Sequence, residues 1–248
     1  MSNYTAPIRD IRFVLEHIGQ LRELSQLDEY AHADPDMVAG LLEEAGRFCS
    51  QAVAPTNQDG DQQGCVVEDG GVTTPESFKK VYSQYVEAGW GALTFPAEFG
   101  GGNFPHVVGT AFKEMLTSAN MAFSLAPLLT TGAIVDLLEH GSDELKQTYL
   151  PNLITGKWAG TMNLSEPQAG SDVGALTTKA VPQDDGTYRI TGTKIWITFG
   201  EQDMSENIIH LVLARLPDAP AGTKGISLFI VPKFLVNEDG SLGERNDV

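Results

Sequence analysis

The hydrophobic pattern of the chain changes period near Gly156. Before this residue, apolar side chains recur every three or four positions, which predicts amphipathic helices. From Lys157 onward, short runs rich in Val, Ile, Thr and aromatic residues predict strands separated by turns. The pattern therefore predicts an α+β protein of more than one domain, with an all-helical domain followed by a β domain.

The helical part is expected to begin with an extension over residues 1–33. Pro7 is placed to open a helix over residues 8–30. Asp34 offers an N-cap for the next helix, which has Pro35 at its first position, and we expect Pro55 to end it. Residues 56–72 are rich in Gly, Asp and Gln and predict an exposed loop. Further helices are predicted over 78–86, 107–117, 122–140 and 142–150, completing a helical domain over residues 34–156.

The β part is expected to cover residues 157–248. Predicted strands occupy 158–164, 176–181, 188–190, 194–199, 208–214 and 226–231. Asp184, Asp185 and Gly186 form a hairpin signal between two of them. Closely spaced strands with turns between them favour an antiparallel sandwich or barrel. The last residues are polar and reach Val248 without a closing element, so we expect a truncated chain.

Composition limits the possible partners. The 248 residues carry 33 acidic and 16 basic side chains, a net charge of −17. Such a surface argues against sequence-independent nucleic-acid binding, which needs Lys and Arg to neutralise phosphates. No apolar run of membrane-spanning length and no secretory start are found in the sequence, and Cys49 is expected to be a buried free thiol. These features indicate a reducing, intracellular setting, most simply a cytoplasm. No metal-ligand spacing is found.

The segment from Gly160 to Asp172 (GTMNLSEPQAGSD) carries the most chemical information. It leads from a strand-like approach into a loop of Pro, Gly, Ser and Asp. Gly170 lacks a Cβ, so neighbouring N–H groups could reach a phosphate or a ring carbonyl. On composition alone, an ordinary polar connection between two strands is the simpler interpretation.

A second segment, KIWIT, follows over residues 194–198. As a strand it would place Ile195 and Ile197 on a core face, with Lys194, Trp196 and Thr198 opposite. An indole and a hydroxyl on one face suit a flat heteroaromatic cofactor. Taken alone, a half-buried Trp that covers the sheet is the simpler explanation.

Both segments together resemble the acyl-CoA dehydrogenase flavoprotein family. LSEPQAGSD (164–172) matches that family's loop, and GTKIWIT (192–198) follows at the family's separation. WGALTFPAEFGGG (90–102) is also similar to a family segment, and the order of helical and β domains agrees. The opening helix resembles the N-terminal extension of the long bacterial branch, which includes 3-methylmercaptopropionyl-CoA dehydrogenases.

The resemblance implies that FAD is the cofactor and assigns residues to it. Met162, Leu164 and Ser165 would lie along the flavin, although Met162 stands where the family often has an aromatic residue. Ser171 would sit near the cofactor pyrophosphate and the thioester arm of the substrate. The wall behind the ring would be formed by Trp196, Ile197 and Thr198, with the Thr198 hydroxyl near N5.

The implied reaction is α,β-dehydrogenation of an acyl-CoA thioester. A carboxylate base removes the α-proton while hydride leaves the β-carbon for the flavin. In this family the base is a Glu in a C-terminal helical domain, so we expect it beyond Val248 and leave the catalytic residue unassigned. Glu166 belongs to the cofactor loop and is not taken as the base. The fragment alone is then expected to be inactive. An electron-transfer flavoprotein is the implied electron acceptor, and a homodimer or homotetramer the implied assembly of the full-length protein.

Two other functions fit the same residues. An acyl-CoA oxidase or a flavin monooxygenase relative would keep the fold but pass electrons to oxygen. A non-catalytic scaffold would keep the fold without binding a flavin.

Overall fold

The fold is described here from a computed structural model over residues 4–248. Eight α-helices precede the main sheet: α1 (Ile8–His17), α2 (Leu21–Leu24), α3 (Pro35–Phe48), α4 (Ala54–Gln63), α5 (Glu76–Glu87), α6 (His106–Ala119), α7 (Met121–His140) and α8 (Asp143–Thr155). A hairpin of β1 (Val66–Glu68) and β2 (Gly71–Thr73) lies between α4 and α5. The change from helix to strand occurs between Thr155 and Trp158, while the division into domains at residue 156 stays a prediction.

The extension does not form the single helix predicted over residues 8–30. After α1 the chain turns at Gln20, whose φ of +51° lies in the left-handed region, and α2 is one short turn. The sequence pattern did not predict this turn, because the apolar spacing continues through it. The buried side chains of α1 are Ile11 and Leu15, and α1 packs on α3.

The expectation that Pro55 ends its helix is wrong. Asp34 caps α3 as predicted, accepting hydrogen bonds from the backbone N–H of Asp36 and Met37. A π-helical turn over Cys49–Val53 then joins α3 to α4. Pro55 falls in the first turn of α4, where its missing N–H is tolerated. The predicted loop over 56–72 is therefore partly helix α4 and partly the β1–β2 hairpin.

One further helix boundary also differs from the pattern. Pro151 does not end α8, which continues to Thr155.

Cys49 is buried and free as expected, and burial raises the pKa of its thiol to about 12.

The main sheet is mixed rather than antiparallel. Its strands are β3 (Trp158–Asn163), β4 (Lys179–Pro182), β5 (Tyr188–Thr191), β6 (Asn207–Arg215) and β7 (Ile226–Pro232). β6 runs parallel to β3 and antiparallel to β7. The β4–β5 hairpin turns at Gly186 as predicted. The close spacing of the strands led to the prediction of an antiparallel sheet. The long segment between β3 and β6 instead acts as a crossover, which permits parallel pairing.

A second, two-stranded sheet follows at the end of the chain. It pairs β8 (Phe234–Val236) with β9 (Leu242–Arg245) in antiparallel orientation. The polar final segment is therefore partly ordered into strand β9. Asn207 at the start of β6 holds this sheet, since its side-chain amide donates to the Phe234 carbonyl and its Oδ1 accepts from the Phe234 N–H, both at 2.9 Å.

Helix α7 packs closely against β3, and Gly160 permits the contact. A Cβ at Gly160 would lie 2.5 Å from the Ala133 Cβ and 3.3 Å from the Thr130 Cα. The Gly160 N–H donates to the Thr130 hydroxyl at 3.0 Å. The helix–strand contact therefore joins the helical and β parts through a position where only hydrogen fits.

Within residues 4–248, α7 is the one helix long and apolar enough to cross a membrane by length and composition. The sequence expectation that no such run exists is wrong in that respect. Its neighbours include β3, α8 and α6, and Phe123, Ile134 and Leu137 are buried. Phe123 packs against the rings of Phe78, Tyr82 and Tyr85 on α5. These contacts are those of a core helix of a folded domain.

Candidate functional site

The two segments picked out from the sequence lie side by side. The Ile195 N–H donates to the Ser165 carbonyl at 2.9 Å. The Lys194 ammonium donates to the Leu164 carbonyl at 3.1 Å. A Cβ at Gly192 would lie 2.1 Å from the Thr178 hydroxyl oxygen, so glycine is needed where the segment crosses the loop. The predicted juxtaposition of the loop and the 194–198 segment is present.

The predicted strand over residues 194–199 does not form. Residues 194–199 contain bends and turns, and Trp196 and Phe199 have φ values of +61° and +52°. The period-2 division of this segment into two faces is therefore wrong. Alternation indicated a strand, but the left-handed residues break it, and such a conformation at a bulky Trp is rare and costly outside functional sites.

Trp196 is 88% exposed, the most exposed large apolar side chain in the described chain. Ile197 and Thr198 beside it are half-buried. No partner within residues 4–248 accepts a hydrogen bond from the Trp196 indole or binds the Thr198 hydroxyl. An exposed aromatic face and a hydroxyl without a hydrogen-bond partner among residues 4–248 thus lie two residues apart.

The loop residues assigned to the cofactor differ in exposure. Met162, Leu164 and Ser165 are half-buried, and Ser171 is exposed. Met162 lies on the α7 side of β3, where a Cβ at Gly132 would meet its Cγ at 3.9 Å. In the described part of the chain, the hydroxyls of Ser165 and Ser171 have no hydrogen-bond partner.

Glu166 anchors the loop, a role that the sequence did not reveal. The residue is buried, and its carboxylate forms an ion pair with Lys194 at 2.7 Å. It also accepts hydrogen bonds from the N–H and hydroxyl groups of Thr177 and Thr178 and from the Gln168 amide. Burial alone would raise the pKa of this carboxyl, but these hydrogen bonds hold it well below its usual range. A carboxylate so strongly ionised and so fully bonded is unsuited to act as a general base.

Arg215 holds the other flank of the loop. Its guanidinium donates to the carbonyls of Gly174, Leu176 and Pro220 at 2.6, 3.3 and 2.9 Å. Nothing in the local sequence pattern signals this role, because the loop lies far from Arg215 along the chain.

A polar network lies buried between β3 and β6. Thr161 and His210 are register partners, and the Thr161 hydroxyl lies 2.7 Å from His210 Nδ1 and 2.6 Å from Asn163 Oδ1. Burial lowers the pKa of the His210 imidazole to about 4, with Glu201 opposing and Lys233 reinforcing the shift. If the Thr161 hydroxyl donates to Asn163, the neutral imidazole must carry its proton on Nδ1. Asn163 lies between Met162 and Leu164, so the network supports the strand end that carries two candidate flavin residues.

Asp203 connects the segment after Thr198 to the helical part. Its Oδ1 accepts from the Thr74 N–H at 3.0 Å and from the Thr74 hydroxyl at 2.7 Å, and Oδ2 lies 2.9 Å from the Lys79 ammonium. Pro75 is the N-cap of α5, and no side-chain cap bond forms there.

The residues fit a flavin by the chemistry of the donors they present. A half-buried apolar strip, an exposed indole and uncommitted hydroxyls suit a planar ring with a polar edge. At Gly170 an added Cβ would meet nothing within 4 Å, which leaves open space beside the loop tip. No group of three His, Cys, Asp or Glu side chains among residues 4–248 could hold a metal ion.

The chain matches two domains of one family. The family described as acyl-CoA dehydrogenase, N-terminal domain, matches residues 38–157, and the one described as acyl-CoA dehydrogenase, middle domain, matches residues 161–245. The fold, a helical domain followed by a mixed β domain, agrees with this match. The chain belongs to the acyl-CoA dehydrogenase family.

Particular relatives share this sequence over nearly its whole length. A 3-methylmercaptopropionyl-CoA dehydrogenase of Ruegeria pomeroyi is 54% identical over 98% of the chain. A butyryl-CoA dehydrogenase of Syntrophomonas wolfei is 41% identical over 99%. The chain spans 41% of the length of each of these two relatives.

A solved structure shares the fold. The acyl-CoA dehydrogenase of Bacillus anthracis, solved in complex with FAD, has a TM-score of 0.63 against this chain at 24% identity. The alignment covers 79% of this chain and 31% of that one. At this identity the likeness concerns the fold alone.

Proposed function

We propose that this chain supplies the flavin-binding half of an FAD-dependent acyl-CoA dehydrogenase. The observation that carries the proposal is the pairing of the 164–172 loop with the 194–198 segment through the Ile195–Ser165 hydrogen bond. Family membership supports the same activity. Bound FAD would supply the hydride acceptor for oxidation of the thioester.

The candidate residues would divide the work of holding the cofactor. Met162 and Leu164 would pack along the ring, and Ser165 would donate its hydroxyl to the polar edge. Trp196 and Ile197 would cover the opposite side and exclude water, while Thr198 would place a hydroxyl near the atom that accepts hydride. Donors fixed at such an edge favour the more negatively charged form of a ring.

The substrate class is an acyl-CoA thioester, with Ser171 close to its thioester arm. The names of the two relatives, one acting on a butyryl and one on a 3-methylmercaptopropionyl thioester, support a short acyl chain. Glu166 of the cofactor loop does not serve as the base, because its carboxylate is committed to an ion pair and several hydrogen bonds. We propose that the base comes from a segment outside residues 4–248.

The remaining proposals concern the setting of the reaction. An electron-transfer flavoprotein would accept the electrons, and the full-length protein would be a homodimer or homotetramer. The bacterial source of the two relatives supports a bacterial cytoplasm as its location.

The test uses protein from the complete reading frame, purified with FAD. Butyryl-CoA and 3-methylmercaptopropionyl-CoA are added without oxygen, and loss of the flavin absorbance band is followed. Reoxidation is then compared with an electron-transfer flavoprotein and with oxygen. Bleaching by a thioester followed by fast reoxidation through the flavoprotein supports the proposal. Fast reoxidation by oxygen with peroxide release would indicate an oxidase, and a protein that remains colourless with FAD would indicate a scaffold.

Variants test the assigned residues. We expect Thr198→Val to weaken FAD binding about three- to tenfold, as for loss of one hydrogen bond. Trp196→Ala should weaken it by about tenfold through lost aromatic contact. Thr191→Val, at an exposed hydroxyl on β5, is the matched control and should bind FAD as the wild type does. Equal affinities for FAD in all three variants would show that the 194–198 segment does not bind the cofactor.

A further inference from the structure

The tip of the cofactor loop has few hydrogen bonds of its own. Ala169 pairs with Glu166 through two backbone hydrogen bonds of 2.9 and 3.0 Å, and the Asp172 carbonyl accepts from the Ala175 N–H at 3.1 Å. Between these points, Gly170 and Ser171 have no hydrogen bond to any of residues 4–248. The position of the tip therefore depends on how its two flanks are held.

The first flank is held by Glu166, which ties the start of the loop to Thr177 and Thr178. The second flank is the short turn Val173–Ala175, and Arg215 is its anchor. The guanidinium binds the carbonyl in the middle of this turn, Gly174, and the carbonyl after it, Leu176. The Arg215 backbone N–H also donates to the Thr178 carbonyl at 2.9 Å.

The third arm of the guanidinium reaches a different loop. Its Nη1 donates to the Pro220 carbonyl, and a Cβ at Gly225 would lie 1.8 Å from that carbonyl oxygen and 2.8 Å from Nη1. The same loop lies next to the turn, because a Cβ at Gly174 would lie 3.5 Å from the Thr223 nitrogen. One side chain thus fixes both the turn after Ser171 and the loop that packs against it.

Only an arginine can make this set of contacts. Its planar fork carries several donors in fixed directions, whereas a lysine offers one compact ammonium. Hydrogen bonds from a charged donor are also stronger than those between neutral groups. All three bonds go to carbonyl oxygens, so the side chain is committed to shaping backbone rather than to pairing with a carboxylate.

We propose that Arg215 is a positioning residue that sets the Gly170–Asp172 tip, and with it Ser171, for the thioester arm of the substrate. This inference rests on the proposed function in assigning Ser171 to that arm. The shaping of the tip by Arg215 stands on the hydrogen bonds alone. Loss of the fork frees the turn at Val173–Ala175, and the tip then samples several positions.

Two measurements test the proposal in protein from the complete reading frame. Amide hydrogen exchange reports the turn that sets the tip and needs no activity. Within this turn the Ala175 and Leu176 N–H groups donate to the Asp172 and Val173 carbonyls. In Arg215→Gln we expect exchange of these two amides to accelerate about tenfold or more, with exchange over β3 and α7 unchanged. The kinetic arm should show KM for the acyl-CoA raised about fivefold or more with kcat nearly kept, as for lost binding of an unreacting part of the substrate.

Arg189→Gln is the matched control, since Arg189 is exposed on β5 and makes no side-chain hydrogen bond in the described chain. It should leave both measurements at wild-type values. Arg215→Lys keeps the charge without the fork and should show an intermediate effect in both, and it remains usable if Arg215→Gln does not fold.

The outcomes separate the two proposals. Unchanged exchange of the Ala175 and Leu176 amides, or equal acceleration throughout the chain, overturns the positioning role. Accelerated exchange of these two amides with KM unchanged also overturns it as stated, because Ser171 would then not serve the substrate. Failure of the wild type to oxidise any acyl-CoA would refute the proposed function. The hydrogen-exchange result would still decide whether Arg215 sets the position of the tip.

Discussion

Glu166 and Lys194 form a buried ion pair, with 2.7 Å between Oε1 and Nζ and side-chain exposures of 2% and 9%. The pair joins the two segments of the candidate flavin site. Lys194 also donates to the Leu164 carbonyl, so both groups have further hydrogen bonds that offset the cost of leaving water.

Removal of the Glu166 carboxylate should therefore destabilise the fold. Glu166→Ala leaves the Lys194 ammonium buried without its counter-ion, and we expect a loss of about 3–5 kcal/mol in the free energy of unfolding. Urea unfolding measures it. Glu68→Ala is the control, because Glu68 is exposed in β1. A loss no larger than the control's would show that the pair contributes nothing to stability.

The same carboxylate predicts a dependence on acid. Because hydrogen bonds hold the pKa of Glu166 below its usual range, its contribution is fully present above the unfolded pKa, near 4, and is lost as pH falls through the lower folded value. In Glu166→Gln, the decline of unfolding free energy between about pH 5 and pH 3 should be shallower than in the wild type. Identical acid profiles of the two proteins would contradict the depressed pKa.

Gly160 predicts a steric effect at the contact between helix and strand. In Gly160→Ala the new methyl group meets the Ala133 Cβ and the Thr130 backbone, and we expect a loss of about 1–3 kcal/mol. Gly132→Ala is a matched control on the facing helix, since its Cβ has an ordinary contact of 3.9 Å with Met162. By helix propensity it should be neutral or stabilising by up to about 1 kcal/mol. Equal stability of the two variants would disprove the close approach.

The sequence predicted those features that depend on local pattern. The order of helices and strands, the Asp34 cap and the Gly186 hairpin follow from spacing and turn chemistry. The pairing of the two candidate flavin segments is predicted by their resemblance to a family, not by periodicity. Alternation in residues 194–198 indicated a strand, yet two left-handed residues replace it.

The contacts that the sequence missed are all long-range. Glu166 lies near Thr178, Arg215 near Gly174 and Asp203 near Thr74 only after the chain has folded. A polar residue that will be buried has the same local signature as one on the surface. The parallel pairing of β3 with β6 was missed for the same reason, because it depends on a crossover and not on adjacent strands.

We predict that the contacts of Asp203 hold the helical and β parts together. Its carboxylate binds Thr74 and Lys79 at the start of α5, so Asp203→Ala should leave the Thr74 donors without their acceptor. We expect a loss of about 1–3 kcal/mol in unfolding free energy and faster proteolysis at the 199–206 segment. Asp185→Ala is the control, because Asp185 binds only the nearby Thr187 in an exposed turn. Cleavage at 199–206 as slow as in the control would rule out this role of Asp203.

The buried imidazole of His210 predicts a second dependence of stability on pH. Here burial favours the neutral form of the side chain, whereas hydrogen bonds favour the charged form of Glu166. Burial lowers the pKa of the imidazole to about 4, below the value near 6.5 of an unfolded chain. Between these values the unfolded state binds more protons, so stability is complete above about pH 6.5 and falls as the pH falls toward 4. The contribution lost is on the order of 1–3 kcal/mol.

The neighbours of His210 allow that effect to be isolated. Thr161 and Asn163 are neutral hydrogen-bonding groups, while Glu201 and Lys233 are paired with each other and have opposing effects on the imidazole. His210→Gln keeps a polar group at the site but cannot take up a proton. The difference in unfolding free energy between pH 7 and pH 5 should therefore be smaller in His210→Gln than in the wild type. His106→Gln, at an exposed position on α6, should retain the wild-type difference. If His210→Gln also retains it, the buried imidazole is protonated as readily as a free one, and the network with Thr161 does not hold it neutral.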